Sequence, residues 1–363
     1  MKIATLSNAS VGHTQRWVEY FRSRGHEVRV WSLEPGPVEL GAFRLPCWPL
    51  PGAVRYPLAA PALRSALARF EPDLVDAHYV PNYGLLGVLC GRRPLSVSAW
   101  GSDLLLARAR GALSRRRAGL VLERADLVIA DSENLAAAAR ALGAPESRVH
   151  AIPWGISRQL FHPGDAREAG LLLSTRQHEP IYDLPTLIEG AAQVMERWAG
   201  TRLEIAGAGS LTRELERLAA RRLPAGRWRF TGLLTPAAMA ASLARASIYV
   251  SCSRSDSTSV SLLEAMAAGA VPVVSDLEGN REWVGEGDGA RLFAPGDPAG
   301  LAQALERAIS NQAWCEAARA RNAEVIAARA DRDVQMAKIE RLFERAVASR
   351  RTGAERIPAG GPR

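Results

Sequence analysis

The sequence predicts an α/β protein of two consecutive doubly wound units, followed by a helical segment. Short apolar strands alternate with amphipathic helices from residue 2 to about 153. The rhythm breaks in IPWGISRQLFHPGD (152–165), and a second alternating series runs to about residue 310. Strand–helix–strand repetition of this kind builds a mostly parallel sheet with helices on both faces. At 363 residues the chain is also longer than one hydrophobic core usually organises.

In chain order, KIATLS (2–7) reads as the first strand and TQRWVEYFRSRG (14–25) as a helix ended by its glycine. HEVRVWS is the second strand, and a helix around 57–70 leads to the strand DLVDAH (73–78). LSVSAW, DLVIADS and SRVHAIP continue the series, with helices between them. Pro153, Gly155, Pro163 and Gly164 then mark a linker with little periodicity. Beyond it come AGLLLST, a helix over DLPTLIEGAAQVMERW, LEIAGAG, a helix over LTRELERLAARR, then WRFTG, ASIYVS, a helix over TSVSLLEAMAAG, and VPVVS. Three more helical patterns lie within LAQALERAIS, NQAWCEAARARNAEVIAARA and DVQMAKIERLFERAVAS. The tail RTGAERIPAGGPR (351–363), rich in glycine and proline, is expected to be disordered. Two such sheets in one chain are expected to enclose ligands in a cleft, because open α/β sheets bind beyond the carboxyl ends of their strands.

Composition narrows the function classes. With 47% hydrophobic and 23% charged residues the chain is an ordinary globular one. No apolar run approaches the roughly 20 residues of a membrane span, and IATLS after Met1 and Lys2 is too short for a signal-peptide core. A cytoplasmic location is the expectation. Cys47, Cys90, Cys252 and Cys315 stand too far apart for a zinc or redox pair. The net charge of +8 suits anionic partners, with arginines clustered at Arg108, Arg110 and Arg115 to Arg117. No basic run interleaved with aromatics and no finger spacing points to nucleic acid. Asp331–Arg332–Asp333 has the spelling of a metal-binding pair, but it opens a helical stretch with no strand before it, where acidic residues suit the helix dipole. No metal and no cofactor are expected.

The densest polar stretch is SRSDSTSVSLLEAMAAGAVPVV (253–274), a strand-to-helix turn filled with hydroxyls. The free N–H groups of a first helical turn attract anions, phosphate above all. Ser257, Thr258 and Ser259 would add hydroxyl donors there. Glu264, eight residues after Asp256 and about two turns into the helix, sits among Leu262, Leu263, Ala265 and Met266. A carboxylate so placed needs a polar partner, and the hydroxyls of a ribose would serve. Helix caps and an ordinary glutamate would leave the same pattern.

SDSTSVSLLEAMAAGAVPVV followed by SDLEGNREW resembles the donor-site signature of the retaining glycosyltransferases of family 4, which have the GT-B fold. Those enzymes carry two acidic residues separated by seven others, matched here by Asp256 and Glu264, with aspartate where the family usually has glutamate. VGHTQRWVEYFRSRGHEV, DAHYVPNYGLLG, SAWGSDLL, ADSENL, IPWGI, EIAGAG and WRFTG agree in order, so the resemblance covers nearly all of residues 2–310. It implies a Rossmann-like N-terminal acceptor domain over 1–160 and a Rossmann-like donor domain over 166–330. A helix over 331–350 would pack back on the first domain, ahead of the tail 351–363.

The implied activity is transfer of a sugar from a nucleoside diphosphate-sugar to a saccharide, lipid-linked or small-molecule acceptor. It would proceed with retention and without a metal. Glu264 matches the acid that holds the ribose, and Asp256 the acid near the hydroxyls of the donor sugar. Ser257 to Ser259 match the stretch meeting the diphosphate, and Arg176 the basic residue whose positive charge neutralises it as it leaves. A lysine usually follows that arginine, in front of a glycine, yet QHEPIYDL here has neither. Arg254, Arg281 and His178 are candidates to replace it.

His78 matches a histidine beside the transferred sugar. Gly12 and His13 lie on a loop that approaches the donor, and Gly207 and Gly209 form a turn bordering the nucleotide. Trp100, Gly101 and Asp103 end a strand where an acceptor would be met, although a turn and an N-capped helix explain them as well. ALSRRRAGLVLERA (112–125) would suit the anionic inner face of the cell membrane, or simply be a solvated basic face. Two other functions fit the same architecture: a nucleotide-sugar epimerase, and a non-catalytic nucleotide-sugar-binding protein.

Overall fold

The computed structural model describes residues 1–107, 111–164, 166–285 and 287–352, so Arg108, Arg110 and most of the tail expected at 351–363 lie outside the described residues. The chain divides into two compact units. One consists of Met1–Ile152 with the residues from Met336 onward, the other of Pro153–Gln335.

The first unit holds β1 (Lys2–Leu6), β2 (Glu27–Ser32), β3 (Phe43–Arg44), β4 (Leu74–His78), β5 (Leu95–Ser98), β6 (Leu127–Ala130) and β7 (Val149–Ala151). They form one parallel sheet in the order β3-β2-β1-β4-β5-β6-β7. Side chains alternate along a strand, and here the two faces differ in chemistry. Ala4, Leu6, Val75, Ala77 and Val97 enter the apolar core with Leu63 and Leu67 of the helix Gly52–Phe70 and Val121 of the helix Ala112–Arg124. Several of the alternate residues are polar and fully buried. Thr5, Asp76 and Ser96 stand in register across β1, β4 and β5, with His78 opposite Ser98 one step further on.

The second unit holds β8 (Glu168–Ser174), β9 (Arg202–Ala206), β10 (Trp228–Gly232), β11 (Ala246–Ser251), β12 (Val271–Ser275) and β13 (Arg291–Phe293). Their order is β10-β9-β8-β11-β12-β13, again parallel. This sheet is apolar on both faces: Leu172, Ile205 and Val250 pack on one side, Leu173, Tyr249 and Val274 on the other. Strands buried on both faces need such near-continuous apolar runs.

Three features of the fold differ from the sequence reading. Residues 153–164 do not hang free: Ile156 donates its N–H to Ala330 O at 2.8 Å, and Ile156 and Phe161 enter the second unit's core. The helix read around 57–70 begins at Gly52, with Pro57 and Pro61 inside it. Proline ordinarily argues against helix interior, which hides the start. The edge strands β3 and β13 are two and three residues long, too short to leave a periodic signal.

A last helix, Arg332–Arg351, starts where Asp331 Oδ1 accepts the N–H groups of Asp333 (3.1 Å) and Val334 (3.2 Å). The Asp-x-Asp spelling is thus a helix cap. From Met336 on, this helix belongs to the first unit. Phe343 stacks on Phe21 with centroids 5.3 Å apart. Glu340 accepts from Tyr20 Oη (3.0 Å) and Arg24 Nε (3.2 Å) and pairs with His26 Nε2 at 2.8 Å.

Candidate functional site

In the second unit the chemistry gathers where β8 ends. Arg176 lies two residues past Ser174 and is buried, a position a charge occupies only with partners. Its Nη1 donates to Ser259 Oγ (2.6 Å) and Ser261 Oγ (2.7 Å), and its Nη2 to Asp256 Oδ2 (2.6 Å). The guanidinium carbon stands 4.2 Å from the centroid of the Tyr182 ring, within cation–π range. Burial opposes the arginine's charge, but Asp256, Tyr249 and Tyr182 more than offset it and hold the pKa above its ordinary value. Three buried polar atoms in this stretch find no partner among the described residues: Ser174 Oγ, Thr175 Oγ1 and Arg176 Nε. Orphaned polar atoms are uncommon in folded interiors.

The turn that meets Arg176 opens the helix Val260–Ala268. Ser259 is its N-cap, with Oγ accepting from Leu262 N. Thr258 Oγ1 accepts the indole N–H of Trp283 at 3.1 Å, and Tyr249 Oη donates to Ser261 Oγ at 2.8 Å. Several hydroxyls of the stretch therefore serve the protein itself. The N–H groups of the first turn remain the natural anion donors, beside a buried cation. Glu264 is buried two turns along the same helix, with 6% of its surface exposed.

The glycine turn packs directly on this segment. Gly207 has φ +120°, and a Cβ placed there would stand 2.8 Å from Arg176 O. At Gly209 it would stand 2.5 Å from His178 O. Both positions thus require glycine for close backbone approach. His178 Nδ1 pairs with Thr212 Oγ1 at 2.9 Å, and burial pulls its pKa below the ordinary value. Arg254 is exposed and pairs with Asp183 at 2.8 Å, while Arg281 pairs with Asp276.

The first unit has its own cluster. His78 at the end of β4 is buried, with Nε2 2.9 Å from Asp76 Oδ2 and Nδ1 3.3 Å from Ser7 Oγ. Ser7 Oγ lies 2.7 Å from Thr14 Oγ1, and Trp17 meets the imidazole edge-on at 4.9 Å. Trp100 lies 5.6 Å from His78 and 6.0 Å from His13, so three residues singled out in the sequence come together. Gly12 is the first residue of the helix Gly12–Ser23, with open space where a side chain would be. Gly101, at φ +100°, precedes the short helix Ser102–Leu105. Asp103 is buried, accepting from Trp100 N at 3.0 Å and Val80 N at 2.9 Å. It ties the loops after β4 and β5 to each other. Tyr79, next to His78, holds φ +69°, a strained conformation of the kind found at binding and catalytic sites.

Asp76, Ser261 and Tyr182 were not picked out from the sequence. Asp76 was findable: it stands two residues before His78, on the same face of one strand. Nothing in the sequence signals Tyr182. On the helix Ala112–Arg124, Arg115 and Arg116 are exposed, as is Leu113. Among the described residues no helix is long and apolar enough to cross a membrane, and no three His, Cys, Asp or Glu side chains gather as a metal site.

Two parallel sheets, one of them ending in an arginine–carboxylate–hydroxyl cluster at a helix mouth, are the parts of a GT-B glycosyltransferase. The chain is similar over nearly its whole length to sucrose-phosphate synthase from Thermosynechococcus elongatus (TM-score 0.83, 19% identity, 96% of this chain and 100% of that one). It is also similar to Anabaena HepE in complex with UDP and glucose (TM-score 0.80, 18% identity, 95% and 100%). In sequence, phosphatidyl-myo-inositol mannosyltransferase of Mycobacterium leprae is 32% identical over 179 residues, about half of either chain (48% of this one, 46% of that one). The protein of that name from Mycolicibacterium smegmatis is 26% identical over 356 residues, 92% of this chain and 89% of that one. Residues 11–160 match the family described as Glycosyltransferase Family 4, and residues 169–311 match Glycosyl transferases group 1. The chain belongs to the group 1, family 4 glycosyltransferases and is an enzyme of that class.

Proposed function

We propose that this enzyme moves a sugar from a nucleoside diphosphate-sugar to a saccharide, lipid-linked or small-molecule acceptor, with retention of anomeric configuration and without a bound metal. The observation that carries this reading is the buried Arg176, held by Ser259, Ser261 and Asp256 at the mouth of the helix Val260–Ala268. As the sugar–phosphate bond breaks, negative charge builds on the departing diphosphate. Preorganised donors aimed at that charge lower the barrier most. Arg176 and the amides around Ser257, Thr258 and Ser259 are such donors, and Glu264 holds the ribose. Asp256 sits where the donor sugar's hydroxyls would lie. Gly207 and Gly209 set the loop beside the nucleotide.

In this reading His78 of the first unit serves the transferred sugar, Gly12 and His13 serve the donor, and Trp100, Gly101 and Asp103 serve the acceptor. HepE, a structural neighbour, was captured with UDP and glucose, and the sequence relatives are named phosphatidyl-myo-inositol mannosyltransferase. Both facts support a nucleotide-sugar donor, and the second supports a lipid-linked acceptor. Work on such an acceptor would be done in the cytoplasm against the inner face of the membrane. Arg115 and Arg116 would then meet anionic headgroups.

A thermal-shift screen over nucleoside diphosphates and their sugar conjugates tests the reading, since a ligand selective for the folded state raises its stability. At least one diphosphate and its conjugate should raise the melting temperature, and that conjugate should yield free diphosphate when a matching acceptor is added. A screen in which none of them shifts the protein removes the donor site. Interconversion of the sugar without any acceptor would instead identify an epimerase.

A further inference from the structure

The lysine expected shortly after Arg176 is missing, and the loop where it would stand carries Tyr182. In the resembled family that lysine precedes a glycine. Here the residue of this loop in left-handed backbone, the conformation glycine serves, is Asp183 at φ +46°. The residue before it, in the lysine's place, is therefore Tyr182. Its ring covers Arg176, with the guanidinium carbon 4.2 Å from the centroid.

We propose that Tyr182 is the positioning residue for Arg176, its ring fixing the guanidinium plane that meets the donor's diphosphate. This rests on the reading that Arg176 faces that diphosphate. Within its plane the guanidinium is already held: Nη1 by Ser259 and Ser261, Nη2 by Asp256. Those bonds leave it free to tilt. The tyrosine ring closes one face and removes that freedom, while Nε stays without a protein partner. A lysine would have supplied a second charge but no such wall. The chain thus holds one cation rigidly where the family uses two, and a fixed donor loses less entropy on meeting its ligand. Asp183 belongs to the same arrangement. It pairs with Arg254 at 2.8 Å and accepts from Thr186 Oγ1 at 2.9 Å, which anchors the loop carrying Tyr182.

Binding of UDP, GDP and ADP, and of the matching nucleosides, is measured by calorimetry on the full chain and on Tyr182→Phe, Tyr182→Leu, Tyr182→Ala and Arg176→Ala. Tyr182→Phe keeps the ring and should stay within about twofold of wild type for the preferred diphosphate. Tyr182→Leu and Tyr182→Ala should bind it about 2- to 30-fold more weakly, the range a cation–π contact spans. Nucleoside affinity should not change, which a merely structural loss would not spare. Wild-type diphosphate affinity in both the Leu and Ala variants overturns the proposal. So does a Phe variant as weak as Ala, or a parallel fall in nucleoside affinity. If Arg176→Ala itself leaves diphosphate binding intact, the donor-site reading fails instead.

Discussion

Asp256 Oδ2 lies 2.6 Å from Arg176 Nη2, so the carboxylate expected near the donor sugar is paired with the arginine expected at the diphosphate. Removing the carboxylate releases the cation. Asp256→Asn should therefore lower unliganded stability by about 1–3 kcal/mol, since the arginine loses its charged partner. Nucleoside diphosphate affinity should hold or rise, while sugar transfer drops. Calorimetry with UDP, GDP and ADP, run beside a transfer assay, checks this. A loss of diphosphate affinity equal to the loss of transfer would contradict it.

Glu264 should behave in the opposite way. If its carboxylate grips ribose hydroxyls, Glu264→Gln weakens nucleoside and nucleoside diphosphate alike, by roughly tenfold or more for a hydrogen bond to a charged group. Equal affinities in wild type and variant would remove the ribose role.

The imidazole of His78 is held from below by Asp76 at 2.9 Å, with both residues buried. Asp76→Asn keeps the shape and removes the charge, leaving the ring less firmly oriented. Transfer should fall by roughly tenfold with donor KM unchanged. A variant as active as wild type would show that the pair serves the fold alone.

Gly207 tests how tightly the glycine turn is built. An alanine Cβ would press on Arg176 O from 2.8 Å, at a φ of +120° that side chains avoid. Gly207→Ala should cost about 1–3 kcal/mol of stability and weaken diphosphate binding, because the strand end carrying Arg176 must shift. Gly200→Ala, exposed and with open space where a Cβ would stand, is the control and should change neither.

Glu340 links the last helix to pH. Burial raises its carboxyl, but hydrogen bonds from His26, Tyr20 and Arg24 outweigh that and bring the pKa below the ordinary range. With the folded value under the unfolded one near about 4.3, the stabilisation is complete above that pH and is lost as pH falls through the folded value. Wild type should exceed Glu340→Gln by about 1–3 kcal/mol near neutrality, and the gap should close as pH falls through the lowered folded value. Melting curves across this range measure the gap. A constant difference would mean that the carboxylate's charge is not what matters.

Fold class was legible because both sheets write it in local pattern: apolar strands such as AGLLLST and glycine-ended helices need no distant information. Strands β3 and β13 were not, being set by pairing at a sheet edge and not by their own few residues. Nor was the helix start at Gly52, where packing overrides the local cost of Pro57 and Pro61. Within the candidate site, Asp256, Ser259 and Glu264 share one short stretch and could be read together. Arg176 came from resemblance. The contacts that orient it, from Tyr182 and Ser261, arise from chain crossings between distant segments, which no spacing rule reports. The hydroxyl-rich turn also proved less free than its composition suggests, since Thr258 is bonded to Trp283 and Ser259 caps the helix.

The stacking of Phe343 on Phe21 bears on how the protein is made. The partner that covers the Trp17–Phe21 face lies more than 300 residues downstream, beyond the whole second unit. On the ribosome, the half that emerges first must wait, with aromatic surface bare, until the half behind it has been synthesised. Chains truncated ahead of residue 336 should accordingly need chaperone protection, though every residue of their second unit is present.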